Sequence, residues 1–140
     1  MSAMTLKEVT RRFVTGNRSF PAVDNVSLTV RRGQRLALVG PSGSGKTTLL
    51  NLMGALARPD GGTVQCLGVE LSTASERKAA DFRRKHLGFV FQQDALVPEL
   101  TVHENVELPL VLLREDAAMR RETVDELLKA LGLSQNARAY

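Results

Sequence analysis

The sequence is poor in cysteine and in aromatic residues, with one Cys, one Tyr and no Trp among its 140 residues. A single cysteine excludes an internal disulfide and a metal site built from several thiolates, so the composition favours a reducing compartment. Scarce aromatic side chains leave few platforms on which nucleic-acid bases could stack. The net charge of +4 comes from short, scattered pairs of basic residues rather than from one basic stripe. We therefore expect no nucleic-acid partner.

Long apolar runs are missing as well. Leu108–Leu113 is far shorter than the ~20 residues that a helix needs to span a bilayer. Met1–Phe20 lacks the apolar stretch of a signal peptide. Hydrophobic residues at 43% and charged residues at 24% are the balance of a globular domain with a real core. These features predict a cytoplasmic location, and they predict that Cys66 is a small buried hydrophobe.

Glycine and proline residues divide the chain into alternating strand-like and helix-like segments. The hydrophobic patterns predict strands at Met4–Phe13, Asn25–Val30, Leu36–Val39, Thr63–Val69 and Leu87–Phe91. They predict helices at Lys46–Ala57, Ser75–His86, Thr101–Leu113 and Ala118–Leu131. The third and fifth strands contain no polar residue, which is typical of parallel strands buried on both faces. Strands that alternate with helices predict an α/β domain.

The strongest chemical signal is Gly40-Pro41-Ser42-Gly43-Ser44-Gly45-Lys46-Thr47, a full match to the P-loop or Walker A pattern G-x-x-x-x-G-K-[ST]. Its glycines allow the backbone to wrap a phosphate, so that the amide N–H groups as far as Thr48 point inward as an anion-binding nest. The start of the following helix adds its free amides and its dipole. In this pattern Lys46 reaches the β- and γ-phosphates, and the Thr47 hydroxyl ligates Mg²⁺. The sequence therefore predicts a site for a polyphosphate.

The P-loop alone leaves several enzyme classes open, among them small-molecule kinases, GTPases and motor ATPases. A second cluster separates them. Leu87-Gly88-Phe89-Val90-Phe91-Gln92-Gln93, followed by Leu96-Val97-Pro98 and Thr101–Val106, resembles the Q-loop region of ABC transporter ATPases. The form of the P-loop, with Thr47-Thr48-Leu49-Leu50 after it, is similar to theirs.

That resemblance covers nearly the whole chain and implies a P-loop NTPase fold of the ABC ATPase type. Within the family, Phe89–Gln93 combined with Glu104–Leu110 resembles the lipoprotein-releasing and macrolide-export branch. The implied organisation is the N-terminal part of one ATPase domain. Its parts are an antiparallel β region at 1–34, the P-loop strand, loop and helix at 35–57, a β region through the Q-loop at 63–100, and the start of a helical subdomain at 101–140.

The resemblance also implies residue roles. An aromatic residue at the end of the family's first strand stacks on adenine, and Phe13 matches that place. The first glutamine after the second buried strand contacts Mg²⁺ and the attacking water, and Gln92 matches it, with Gln93 as the weaker candidate. Lys46 and Gln92 are thus the candidate catalytic residues, and Thr47 and Gln92 the candidate metal ligands. The cofactors implied are ATP and Mg²⁺.

The implied partners are a membrane permease and a second copy of the ATPase domain in a nucleotide-sandwich dimer, which places the protein on the inner face of the membrane. Asp94–Leu100 matches the segment that receives the coupling helix of the permease, and Leu96, Val97 and Leu100 would supply its apolar contacts. Core packing is an equally good interpretation of each of these three side chains.

The sequence departs from the family in one respect: the LSGGQ signature, Walker B strand, D-loop and switch histidine do not occur before Tyr140. We expect ATPase activity from the complete domain and negligible activity from these residues by themselves. We also expect Leu36–Val39 and Leu87–Phe91 to expose apolar edges, because the family places strands from the missing part between them. The alternatives are a non-catalytic nucleotide-binding fragment and a small-molecule kinase.

Overall fold

The computed structural model describes residues 2–92 and 95–140, and it divides into two compact units, one ending at Arg83 and one beginning at Arg84. The strands are β1 (Ser2–Thr15), β2 (Arg18–Arg31), β3 (Gly61–Cys66) and β4 (Val69–Glu70). The helices are α1 (Lys46–Met53), α2 (Glu76–His86), α3 (Val102–Leu113) and α4 (Ala117–Ala130), followed by a 3-10 turn at Ser134–Asn136. No helix in these described ranges is long and apolar enough to cross a membrane.

The first unit is built on a long hairpin of β1 and β2. Both strands have 14 residues, and the turn between them contains Gly16 in the left-handed conformation at φ 59°. β1 also pairs with β3, and β3 with β4, so the sheet order is β2-β1-β3-β4 with every pairing antiparallel. This sheet has the antiparallel N-terminal character that the sequence predicted.

Irregular positions in the hairpin are stabilised by hydroxyl groups of the opposite strand. Glu8 and Asn25 both have positive φ angles. The Glu8 N–H donates to Ser27 Oγ at 2.9 Å, and the Asn25 N–H donates to Thr10 Oγ1 at 3.0 Å. These bonds satisfy backbone donors that the shifted ladder leaves unpaired, so the bulged strands keep one register.

The core of this unit lies where α1 packs on the sheet. Its buried side chains are Leu6, Val9, Val23, Leu52 and Val64. Leu52 is the buried residue of α1, so it is the side chain that ties the helix to the sheet. Truncating such a leucine to alanine costs about 2–5 kcal/mol.

Two predicted strands are not formed. Neither Leu36–Val39 nor Leu87–Phe91 takes part in a sheet within the described residues. An extended segment becomes a strand only when a neighbouring backbone supplies ladder hydrogen bonds, and neither segment has that neighbour here. The predicted exposure of these apolar segments is confirmed, since Val39 is 88% and Val90 fully exposed.

The helices follow the sequence more closely, and only the end of α1 differs from its predicted position by more than one residue. α1 ends at Met53 rather than Ala57, because Gly54 caps it and Ala55 takes a left-handed φ of 53°. α3 begins with a complete capping box at Thr101 and Glu104 and tolerates Pro109 within its length.

The predicted strand at Thr63–Val69 is instead two short strands, because the chain turns at Leu67 and Gly68, both of positive φ.

Candidate functional site

The predicted P-loop lies in the first unit and leads directly into α1. Three of its glycines, Gly40, Gly43 and Gly45, have φ angles of 156°, 79° and 86°. Gly45 is the N-cap of α1, and no side chain caps this helix end. The amides of the first helical turn therefore have no intrahelical partner and are free to bind an anion.

Gly45 also fixes the loop against the hairpin. A Cβ atom at this position would collide with the carbonyl oxygen of Ala22, a residue of β2, and would lie 3.7 Å from Val23 Cγ2. A Cβ at Gly40 would lie 2.8 Å from Ser44 Oγ within the loop itself. The close approach of the loop to β2 is thus possible only because Gly45 carries no side chain.

Lys46 folds back across the loop. Its Nζ donates to the carbonyl oxygens of Gly40 and Pro41, at 2.9 and 2.7 Å, and approaches Ser44 Oγ at 3.3 Å. The ammonium group is therefore positioned over the start of the loop. A polyphosphate at the loop would meet both this cation and the free helix amides, which is the arrangement that favours an anion.

The predicted adenine-stacking residue lies in the same cleft as the loop. Phe13, Phe20 and Ala22 line a cleft of about 260 Å³ together with residues 43–48. The structure thus brings Phe13 to the P-loop, although they are about thirty residues apart in sequence.

Sequence reasoning missed Phe20. It pairs directly with Phe13 across the hairpin, and the two ring centroids are 6.4 Å apart with planes inclined at 41°. The available signal was the turn at Gly16-Asn17, because a hairpin centred there sets Phe13 opposite Phe20.

Sequence reasoning also missed an ion-paired arginine that contacts the ring of Phe13. The Arg11 guanidinium lies 5.5 Å from the centroid of the Phe13 ring. Arg11 Nη1 forms an ion pair with Asp60 Oδ1 at 2.8 Å, and the Arg12 N–H donates to Asp60 Oδ2 at 2.7 Å. Asp60 therefore fixes Arg11, which in turn contacts the ring by a cation–π interaction.

Comparison with known families agrees with this geometry. The ABC transporter family matches residues 23–140, which is most of the chain. The chain belongs to the ABC transporter family. Its fold is that of an ABC ATPase cassette, with TM-scores of 0.88 and 0.89 to two dimeric structures of the bacterial cassette MJ0796, one of them a post-hydrolysis state bound to ADP and Pi. Both are 37% identical to this chain and are matched over 96% of it and 60% of their own length.

Two relatives indicate the branch of the ABC family. The probable syringafactin export ATP-binding/permease protein SyfD of Pseudomonas syringae pv. syringae (strain B728a) is 41% identical over 131 residues, or 94% of this chain. The macrolide export ATP-binding/permease protein MacB of Burkholderia pseudomallei (strain 1710b) is 43% identical over 134 residues, or 96% of this chain. The chain spans 20% of the length of each relative. The predicted resemblance to the macrolide-export branch is confirmed.

The second unit contains Leu87–Gln92, the described part of the segment that resembles a Q-loop in sequence. Gln92 is exposed in a bend that follows Phe91, and the rings of Phe89 and Phe91 are stacked with centroids 5.8 Å apart. Gln93 and Asp94 lie outside the described residues. The roles of Gln92 and Gln93 toward Mg²⁺ and water stay predictions.

Asn105 organises residues 97–101, which include part of the segment that the sequence predicted to contact a permease. Its Oδ1 accepts the Val97 N–H at 2.8 Å, and its Nδ2 donates to the carbonyl oxygens of Val97, Leu100 and Thr101 at 3.0, 2.9 and 3.1 Å. Leu96 stands out from this segment with 69% of its surface exposed, whereas Val97 and Leu100 are half-buried. Leu96 is therefore the apolar side chain of the three that is presented most openly.

A charged group at the start of α3 fixes the same segment. The Glu104 carboxylate accepts both the N–H and the hydroxyl of Thr101, each at 2.8 Å. These two bonds, the backbone one foremost, lower the pKa of Glu104 below its ordinary value. The capping box thus favours the ionised carboxylate at neutral pH.

Proposed function

We propose that this chain binds Mg-ATP, with the triphosphate in the loop of residues 40–48 and the adenine against Phe13. The observation that carries the proposal is the cleft in which an aromatic ring, a lysine and an uncapped helix N-terminus meet. Apolar, cationic and hydrogen-bonding groups then match the base, the phosphate charge and the phosphate oxygens. The ADP and Pi bound by the MJ0796 cassette support the same class of ligand.

Each residue of the loop has a proposed role. The backbone amides of Gly43, Ser44, Gly45 and Lys46 hold the phosphate oxygens, and the Lys46 ammonium exchanges its carbonyl partners for the β- and γ-phosphates. Gly40 and Pro41 give Lys46 its resting partners. The other proposed contacts of the loop are Ser42, Thr47 and Thr48.

The protein oxygen of the first unit that we propose for Mg²⁺ is the Thr47 hydroxyl; the Gln92 amide oxygen is the other ligand that the sequence predicts. Hard neutral oxygens of this kind suit Mg²⁺, which keeps its waters and takes only one or two protein ligands beside phosphate. No cluster of three His, Cys, Asp or Glu side chains that could hold a metal occurs in residues 2–92 and 95–140, so a cation here would depend on the phosphates. When bound, Mg²⁺ neutralises charge on the phosphate oxygens.

We further propose that the whole protein couples ATP hydrolysis to export through a membrane permease, as a dimer of ATPase domains on the inner face of the membrane. In that reaction Gln92 positions the attacking water. The names of SyfD and MacB, which join an ATP-binding part to a permease, support the partner. The dimeric MJ0796 cassettes support the assembly.

Calorimetric titration of the purified protein with ATP, in the presence of Mg²⁺ or of EDTA, tests the proposal. Lys46→Ala should weaken Mg-ATP binding by at least about tenfold, because each hydrogen bond from a charged donor contributes about 1.5–3 kcal/mol. Lys78→Ala removes an exposed lysine from α2 and is the matched control. Thr47→Val should remove the advantage of Mg²⁺ over EDTA. In the complete ATPase domain, Gln92→Ala should spare ATP binding but slow turnover, measured as the release of phosphate. Wild-type protein that takes up no ATP with Mg²⁺ would refute the proposal.

A further inference from the structure

The cleft is lined by a second aromatic ring, that of Phe20, to which the proposed ATP site assigns no role. Phe20 lines it together with Phe13 and residues 43–48. After contact with each other, Phe13 remains 41% and Phe20 48% exposed. Two rings that line one cleft and leave more than two fifths of their residues' surface exposed can accept a further aromatic ring against them.

Phe20 is held in register with the phosphate loop by its own strand. It stands two residues before Ala22, whose carbonyl oxygen packs against Gly45. Phe20 and Ala22 both line the cleft, so β2 brings the ring and the support of the loop to the same place. Ala22 itself has no partner in the ladder, but Phe20, Pro21 and Val23 on either side of it pair with β1, so the distance from Phe20 to the loop is set by a short stretch of strand rather than by a flexible connection.

We propose that Phe20 is a second nucleobase contact, which together with Phe13 makes the site favour a purine over a pyrimidine. This rests on the proposed Mg-ATP function. A fused two-ring base can cover both inclined rings, whereas a single-ring base anchored by the same triphosphate covers less of the pair. The preference follows because stacking strength grows with the aromatic surface in contact.

The test separates the base from the phosphates. Affinities of the purified protein for ATP, CTP and inorganic tripolyphosphate are measured with Mg²⁺ for wild type, Phe13→Ala, Phe20→Ala, Phe20→Tyr and Val14→Ala. Val14 is a neighbouring hairpin residue that is 72% exposed and does not line the cleft, so it is the matched control. Tripolyphosphate has no base and reports on the loop alone.

Phe20→Ala should weaken ATP binding by roughly two- to tenfold, the effect expected of one aromatic contact. It should leave the affinity for tripolyphosphate unchanged and lower the ratio of the affinity for ATP to the affinity for CTP. Phe20→Tyr should restore wild-type values, and Val14→Ala should match wild type.

Two results would overturn the inference while the ATP site stands. In the first, Phe20→Ala leaves the ratio of ATP to tripolyphosphate affinity unchanged although Phe13→Ala lowers it. In the second, Phe20→Ala loses tripolyphosphate and ATP binding together, which would make Phe20 a structural residue of the hairpin. Failure of the wild type to bind tripolyphosphate would instead reject the proposed function itself.

Discussion

Gly45 allows the contact between the P-loop and the hairpin to be tested by a single added methyl group. In Gly45→Ala the new Cβ meets the carbonyl oxygen of Ala22, and β2 is held on both sides of Ala22 because Pro21 and Val23 pair with β1. Gly43→Ala is the matched control, since Gly43 has a similar positive φ of 79° but no atom within 4 Å of the added Cβ. Both variants carry the conformational strain, and only one carries the collision.

The magnitudes differ accordingly. A left-handed alanine costs roughly 1–2 kcal/mol, partly offset by the ~0.4–1 kcal/mol that alanine gains through its less flexible unfolded chain. Gly43→Ala should therefore lower the free energy of unfolding by about 1 kcal/mol. Overpacking against fixed atoms adds about 1–3 kcal/mol, so Gly45→Ala should lose about 2–4 kcal/mol.

Urea unfolding of both purified variants without nucleotide measures these losses, because bound ligand would add its own stabilisation. The midpoint should fall much further for Gly45→Ala than for Gly43→Ala, with unchanged m-values. Equal losses in the two variants would show that the loop does not rest on Ala22 of the hairpin.

Three further outcomes are expected. Asn105→Ala should lower the free energy of unfolding by about 1–3 kcal/mol and speed hydrogen exchange at the Val97 amide. Asn105→Asp keeps the acceptor but places an anion beside three carbonyl oxygens, so it should not restore the wild-type free energy of unfolding. Because the pKa of Glu104 is lowered, its stabilisation is present above the unfolded value of about 4.3 and lost as pH falls. The gap in urea midpoint between wild type and Glu104→Ala should therefore close in acid, and a gap that persists at pH 2 would contradict this. Burial raises the pKa of Cys66, so iodoacetamide should react slowly at pH 8 until urea unfolds the protein, and fast native labelling would contradict the buried position.

Local chemistry made several elements predictable from sequence. The helices predicted at Ser75–His86 and Thr101–Leu113 form as α2 and α3, and the capping box of Thr101 and Glu104 shows that such an element is encoded by residues within a few positions of one another. The P-loop was found for the same reason, since glycine, lysine and threonine at fixed spacing define the turn and the helix start without distant partners. Such features depend on the chain's near neighbours alone.

Features that depend on distant partners were missed or misjudged. The strand pattern at Leu36–Val39 describes apolar residues correctly, but a pattern cannot supply the neighbouring backbone that a ladder requires. The position of Phe20 opposite Phe13 depends on the register of the hairpin, and the role of Asp60 depends on its contact with Arg11, 49 positions away. A sequence pattern can draw attention to each of two residues, but it does not show that the two are in contact.

One strand joins the candidate site to the core. Within four residues, β2 carries Phe20 in the cleft, Ala22 against the loop, and Val23 in the core at 5% exposure. Because Val23 packs in the same core cluster as Leu52 of α1, the helix that begins at the P-loop and the strand that supports it are fixed by one set of buried contacts. A change that loosens this cluster should therefore alter the phosphate loop together with the positions of Phe13 and Phe20. A substitution of Phe20 should alter only the aromatic side of the cleft.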